Sequence, residues 1–328
     1  MLLCMRLRQV AAAAASVLLL TACSNGVGGG EEPPEPVKGR KSPLTGLLQE
    51  QPPNNPAFLV KIENTAGGQP QYGVNEADLA IEELVEGGIT RLAAIYYSKL
   101  PTKVGHVRST RTTDIGLAKP VGATIVASGG APKTLDDIKE SGTQLFTYDA
   151  GAPGYSKDPS KSAPYHVLWD IQKLNETAKR GPVPNNPYFS FGDGPAAGDV
   201  TKKTTSASVT FSPATTTKWR FAGGKWSLTK SRAAAGQEYK ADTLVVIFAR
   251  VAEAGYNDAA GNPVPETVLE GSGRAVIFSG DSAVEATWRK GGLGGTMTFT
   301  AKSSGKPVTL KPGHVFLEAA PRGGDVKY

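Results

Sequence analysis

Cysteine is almost absent from this chain: only Cys4 and Cys23 occur in 328 residues. Cys4 falls in a leader expected to be removed, so Cys23 is the single mature cysteine and no intrachain disulfide can form. Stability outside a cytoplasm must then come from core size. Histidine is equally scarce, and His106, His166 and His314 lie far apart. Neither His-Glu-x-x-His nor a paired-cysteine spacing is present, which argues against a zinc site. The Gly-x-Ser-x-Gly elbow and the Walker phosphate loop are missing as well. Ser-x-x-Lys occurs at Ser227 with Lys230 and at Ser303 with Lys306, a number that chance supplies, and without Ser-Asp-Asn or Lys-Thr-Gly partners. No cofactor and no metal are therefore expected. Long apolar runs are also lacking: residues 10–20 are about half of the roughly 20 that a membrane-spanning helix needs.

What is present begins with an address. Arg6 and Arg8 precede that short apolar run, which ends in small residues before Cys23. This is the pattern of a secretory signal peptide over residues 1–22. Leu20-Thr21-Ala22-Cys23 looks like a bacterial lipobox, which makes Cys23 the expected lipidation site. A lipidated cysteine carries at least two acyl chains, enough for stable anchoring at about 0.8 kcal/mol per buried methylene. The expected location is extracytoplasmic, on the bacterial cell membrane. Residues 23–42 are glycine, proline and charge without apolar periodicity, and read as a flexible tether.

Hydrophobic residues make up 39% of the chain, so a packed core is within reach; 39 glycines and 24 prolines add frequent turns and favour strands. Residues 43–181 read as a mixed α/β domain. Apolar runs at 57–63 and 124–128 are expected strands, and 132–140 and 169–180 expected helices, the first opened by Pro132 and the second stopped by Gly181 and Pro182. Residues 182–203 hold four prolines and read as an inter-domain linker. Residues 204–322 carry short runs at 207–211, 218–221, 226–229, 243–250, 275–279, 284–289, 296–300 and 314–318, the spacing of a mostly β domain. Residues 43–184 carry 14 Lys/Arg and 15 Asp/Glu, whereas residues 199–328 carry 17 and 11. The basic second half suits anionic lipid or wall polymer rather than nucleic acid outside a cell, or a merely solvated surface.

The segment 77–98 places two alternating β-prone runs around Gly87-Gly88, the signal of a two-residue hairpin. That loop pairs Leu84 with Arg91 and puts Glu82, Leu84, Glu86, Ile89, Arg91 and Ala93 on one face. Arg108 and Arg111 follow in a segment where Ser109 or Thr110 could cap a helix, so negative charge should compensate them. Two readings stand open: a structural network with Glu63, Glu82, Glu83 or Glu86, or an anionic ligand held by Arg91, Arg108 and Arg111.

The strings IENTAGGQPQYGVNEADLAIEELVEGGITRLAAIYY, KVGHVRSTR, SGGAPKTLDDI and APYHVL resemble the N-terminal domain of the YerB-like lipoprotein family. GSGRAVIFSGDSAVEATWRKGGLGGTMTF and VTLKPGHVFLEAAP resemble its C-terminal domain. The resemblance spans about residues 43–321. It implies a two-domain extracytoplasmic lipoprotein of largely uncharacterised activity, with cell-wall synthesis machinery as an associated partner. Its polar signature falls on Glu63, Asn64, Asp78, Glu83, Glu86, Arg91, Arg108, Arg111 and His166. The expected work is non-catalytic binding, by a membrane-anchored module docking an envelope protein or an anionic wall polymer. The alternatives are a wall-active hydrolase or transferase with Glu63 or Glu86 as acid or base, and a passive spacer.

Overall fold

The computed structural model describes residues 39–178, 181–258 and 261–328. The signal peptide, the lipobox, Cys23 and the tether as far as residue 38 lie outside the described residues. The last residues of the expected tether do not trail free. Arg40–Lys41 pairs with Leu48–Gln49, and Ser42 is buried where its hydroxyl accepts from the Thr45 amide.

The apolar runs become strands covered on both faces, which is why they read as nearly continuous hydrophobic stretches. In chain order these are β1 (Phe58–Glu63), β2 (Leu79–Leu84), β3 (Thr90–Tyr96), β4 (Thr124–Ala127) and β5 (Leu145–Thr147). Interleaved with them are helices α1 (Thr113–Ala118), α2 (Pro132–Glu140) and α3 (Ile171–Thr177). The second half supplies β6 (Ser206–Ser212), β7 (Thr215–Ala222), β8 (Lys225–Leu228), β9 (Thr243–Asn257), β10 (Gly271–Ser279) and β11 (Ser282–Lys290). It ends with β12 (Thr298–Ala301), β13 (Pro307–Val308), β14 (Val315–Pro321) and β15 (Asp325–Lys327). With 43% strand and 13% helix the protein is mostly β. All three α-helices among the described residues fall in the first half.

A 13-stranded sheet runs β13-β12-β11-β10-β9-β14-β2-β3-β1-β4-β5, with two short strands beside this path. The two sequence halves therefore share one sheet. The last long strand, β14, lies parallel between β9 and β2, and its register sets Phe316 opposite Ala80 and Glu318 opposite Glu82. A second, antiparallel sheet runs β8-β7-β6-β15.

Period-two alternation sorts the side chains of the large sheet into two cores. Leu59, Ile81, Ile95, Val245, Ile247 and Leu317 pack on one face with Ile115 and Leu117 of α1 and Ile138 of α2. Val60, Ala80, Leu92, Leu244, Val246 and Phe316 pack on the other against Val209, Phe211, Trp219 and Trp226 of the small sheet. Each fully buried Val, Leu, Ile or Phe contributes roughly 1.5–3 kcal/mol.

Several expectations need correction. The segment expected as a linker packs onto the fold: Tyr188 and Phe189 are buried in the helix-side core, and Phe189 pairs with Met297. The second half extends past residue 322, because β15 pairs with β6. Helix α3 starts after Asp170, whose carboxylate accepts from the Lys173 amide at 2.8 Å, and Trp169 belongs to the preceding strand Val167–Trp169. Helix α1 starts at Thr113, so neither Ser109 nor Thr110 caps it.

The hairpin register is shifted by one. A three-residue turn, Glu86–Gly88, joins β2 to β3, closed by the Val85 amide donating to the Ile89 carbonyl at 2.9 Å. Gly87 and Gly88 have φ of 71° and 72°, the left-handed region that glycine tolerates without strain. Leu84 then pairs with Thr90, Glu83 with Arg91 and Glu82 with Leu92. A one-residue slip exchanges the faces, so Arg91 shares its face with Glu83, not with Glu82.

The shared sheet generates a prediction. Because β14 is hydrogen-bonded into both halves, scanning calorimetry should show one cooperative transition, and Leu317→Ala should destabilise that whole transition by about 2–5 kcal/mol. Two separate transitions, with only the later half shifted by the substitution, would refute a common sheet as the cooperative unit.

Candidate functional site

Register on the helix-side face sets Glu83, Arg91 and Glu63 side by side on β2, β3 and β1, with Ile81, Ala93 and Lys61 two residues along. Ala93 is small, so the Lys61 ammonium passes over it to pair with Glu83 while lying 2.7 Å from Asp114 of α1. Asp114 also accepts from the Thr110 hydroxyl at 2.6 Å and the Arg111 amide at 2.8 Å, which fixes the entry to α1. Arg111 grips Glu86 with both arms of its fork: Nε donates to Oε2 at 2.9 Å and Nη2 pairs with Oε1. Arg91 stands 3.6 Å from Glu86 and donates to the Ser109 carbonyl at 3.1 Å. Arg108 lies 2.7 Å from Glu63, donates to the Pro164 carbonyl, and sits over the Tyr165 ring at 5.2 Å.

Lys61, Arg91, Arg108 and Arg111 thus face Glu63, Glu83, Glu86 and Asp114, four cations against four carboxylates. The network is neutral within itself and nearly closed to solvent: Arg91 is 2% exposed and Arg108, the most open of its arginines, 18%. Burial pushes the Glu83 carboxyl up, against the pull of Lys61. For Glu86 burial acts upward too, but the Arg111 hydrogen bonds outweigh it and hold the carboxyl below its usual range. Burial lowers Arg91 to about 10.

The nine signature residues do not form one site. Glu63, Glu83, Glu86, Arg91, Arg108 and Arg111 come together in this network. Asp78 is elsewhere, buried, accepting from the Tyr97 and Ser98 amides at 2.7 and 2.8 Å. His166 lies edge-on to Tyr148, with ring centroids 5.8 Å apart. Asn64 turns to the opposite face of the sheet, donating to Glu82 at 3.1 Å and to Thr90 at 3.0 Å.

That opposite face holds what the signature omitted. Glu82 and Glu318 meet across the seam between β2 and β14, both fully buried. Oε1 of Glu82 accepts from Thr90 at 2.6 Å and from Asn64; Oε1 of Glu318 accepts from Thr217 at 2.9 Å and from the Trp219 indole. Neither Oε2 has a hydrogen-bond partner among the described residues, and the two carboxyls lie close enough for each to act on the other's ionisation. Such a pair requires a shared proton. Burial raises Glu82 to about 7 and Glu318 well above its ordinary value. Above Glu82 opens a cavity of about 450 Å³ between the ends of β1–β3 and strands β7 and β8. Lys61 and Glu318 could have been noticed as charges inside the apolar strings FLVKI and VFLEAA.

A third buried pair joins distant loops. Both ring nitrogens of His106 face acceptors at 3.0 Å, the Gly68 carbonyl and Asp158, whose other oxygen takes the Ser160 hydroxyl and amide. Among the described residues no group of three His, Cys, Asp or Glu side chains is arranged to hold a metal ion, and no helix is long and apolar enough to cross a membrane.

Against known proteins, residues 44–183 match the family described as "Protein of unknown function (DUF3048) N-terminal domain", and residues 203–317 match its C-terminal domain. A protein of Bacillus subtilis (strain 168) named "Putative lipoprotein YerB" is 39% identical over 111 residues; that stretch is about a third of this chain and a third of the relative. The crystal structure of YerB from Bacillus subtilis superposes with a TM-score of 0.70, covering 88% of this chain and all of the other, at 21% identity. At that identity the likeness is one of fold.

Two predictions follow from the buried charges. Lys61→Met would leave Glu83 and Asp114 facing each other without a cation, and denaturant unfolding should show a loss of about 3–5 kcal/mol. A loss near zero would mean that the network does not hold the sheet to α1. The second concerns pH. Glu82 and Glu83 are raised from 4.5 to about 7 in the fold, so their contribution to stability is fully present below pH 4.5 and is lost as pH rises through about 7. Melting temperature should fall between pH 5.5 and 8.5, and Glu82→Gln, which keeps a donor toward Glu318, should flatten that fall. Equal slopes in wild type and variant would remove the shared proton from the account.

Proposed function

The chain belongs to the DUF3048 family, whose function is unknown, and from that premise we propose that it is a membrane-anchored extracytoplasmic lipoprotein acting as a non-catalytic binding module in the cell envelope. Anchoring rests on the sequence of the leader and Cys23, and on the name carried by the Bacillus subtilis relative. Its partners are an envelope protein, such as a component of wall synthesis, or an anionic wall polymer.

One observation carries the non-catalytic part. Every carboxylate among the signature residues is already engaged by a structural partner: Glu63 by Arg108, Glu83 by Lys61, Glu86 by Arg111, and Asp78 by two backbone amides. A carboxylate gripped by a guanidinium is held ionised and cannot act as a general acid without giving up those bonds. This weighs against a hydrolase or transferase built on Glu63 or Glu86. The arginines are likewise neutralised within the fold, so a ligand must be met elsewhere on the molecule.

Two measurements test the reading. Cells expressing Cys23→Ser should lose both radiolabelled palmitate incorporation and the membrane-pelleting fraction that wild type shows. Wild-type protein incubated with isolated wall fragments should release no soluble product. Release that vanishes in Glu63→Gln or Glu86→Gln, at an unchanged melting temperature, would sink the binding reading in favour of an enzyme.

A further inference from the structure

The cavity above Glu82 differs from the arginine network in the one respect that matters for a ligand: its cations are not paired with carboxylates. Lys218, Lys230 and Arg232 line it and form no ion pair among the described residues. Of the acid pair only Glu82 lines it, a single carboxyl against three cations. Three of the threonines around it are polarised in one direction. Thr215 donates its hydroxyl hydrogen to the Gly88 carbonyl at 2.8 Å, Thr217 to Glu318 at 2.9 Å and Thr229 to the Lys218 carbonyl at 3.2 Å. A hydroxyl has one hydrogen and two lone pairs, so each of these oxygens retains acceptor capacity after that bond.

The cleft therefore offers three cationic donors and three hydroxyls with acceptor capacity. A matching ligand must bring negative charge for the lysines and arginine, and O–H groups for the threonines. A bare anion lacks the hydroxyls, and a neutral sugar lacks the charge. No aromatic ring lines the cavity, so flat stacking ligands have no platform. A volume of about 450 Å³ lies within the roughly 300–1,000 Å³ of small-ligand sites, enough for a short segment of a chain.

The wall of the cleft is also built rather than incidental. Ser212 and Thr215 both donate to the Gly88 carbonyl, at 2.6 and 2.8 Å, and tie the hairpin tip to β6 and β7. The buried acid pair fixes Thr90 and Asn64 on one side and Thr217 on the other.

Resting on the binding-module reading, we propose that this cleft binds a segment of an anionic, hydroxyl-bearing carbohydrate polymer, with Lys218, Lys230 and Arg232 holding its charge and Thr215, Thr217 and Thr229 accepting from its hydroxyls. The charge could come from phosphate or from carboxylate, and the chemistry of recognition is the same.

Calorimetric titration of the full chain in mild detergent tests this with four probes: a glycerol-phosphate oligomer, a uronic-acid oligosaccharide, a neutral dextran oligosaccharide and sulfate. At least one of the first two binds, and dextran and sulfate bind at least tenfold more weakly. Affinity falls steeply between 50 and 500 mM salt, since the cations are open to solvent. Lys230→Ala combined with Arg232→Ala, and separately Thr229→Val, weaken binding at least tenfold and fivefold respectively without moving the melting temperature. Binding of the phosphate oligomer alone, or of the uronide alone, identifies the source of the charge. The proposal is overturned if neither charged carbohydrate binds, if sulfate or dextran binds as well as they do, or if the substitutions leave affinity unchanged. Such a failure, with no release from wall fragments, leaves the binding module standing with its site elsewhere; release from wall fragments overturns that module itself.

Discussion

The parallel pairing of β14 with β2 is the contact on which the rest depends. It runs through five registered pairs from Val315 with Leu79 to Ala319 with Glu83, while β14 pairs on its other edge with β9 over seven. A strand from the end of the chain is thereby built into the middle of a sheet begun by the first half. Parallel strands cannot be closed by a short turn, so this connection orders well over two hundred residues of intervening chain. Everything downstream inherits its register: a slip of one residue at β14 would move Glu318 to the helix side and Leu317 against Trp219.

Much of this was legible, and the illegible part has a definable cause. All eight apolar runs picked out in the second half fall on strands, and 132–140 is a helix opened by Pro132 as expected. What local pattern cannot give is pairing between distant strands. Nothing around VFLEAA says that its neighbour is LAIEEL rather than another run of its own half. The hairpin failed for a different reason. Gly87-Gly88 suits a two-residue turn, yet three residues form the turn, because Glu86 joins it and offers its carboxylate to Arg111 and Arg91. Tertiary charge pairing overrode the turn signal and moved every side chain of the hairpin to the other face. That the linker segment packs was not legible because proline and asparagine advertise loops, while Tyr188 and Phe189 between them carry the apolar surface that is buried.

The same shift explains why the signature residues looked like one cluster. Sequence adjacency places Glu82 and Glu83 together, but in a strand they point to opposite faces. Glu83 enters a network of four cations and four carboxylates, whose charges balance one another. Glu82 enters a pair of acids with no cation hydrogen-bonded to either. Burying a balanced network is close to neutral in stability, whereas removing one member is costly, so such a network fixes geometry more than it adds free energy. Here the geometry fixed is the seating of α1 and of the segment 108–114 on β1–β3.

On the small-sheet side the acid pair does two jobs through one set of atoms. Its two carboxyls stand at paired positions on β2 and β14, fully buried, where a proton on one of them lets both stay out of solvent. Its Oε1 oxygens receive Thr90, Asn64, Thr217 and Trp219, side chains that belong to the cleft or to the sheet behind it. Losing the proton would place two negative charges on adjacent strands without solvent, and the strain would fall on β2 and β14 and on the hydroxyls they orient. The join between the two halves and the shape of the cleft are therefore held by the same two carboxyl groups. That is why a substitution at Glu82 cannot be read as a ligand contact alone, and why solvent-facing positions such as Lys230 and Thr229 are the places where recognition separates from folding.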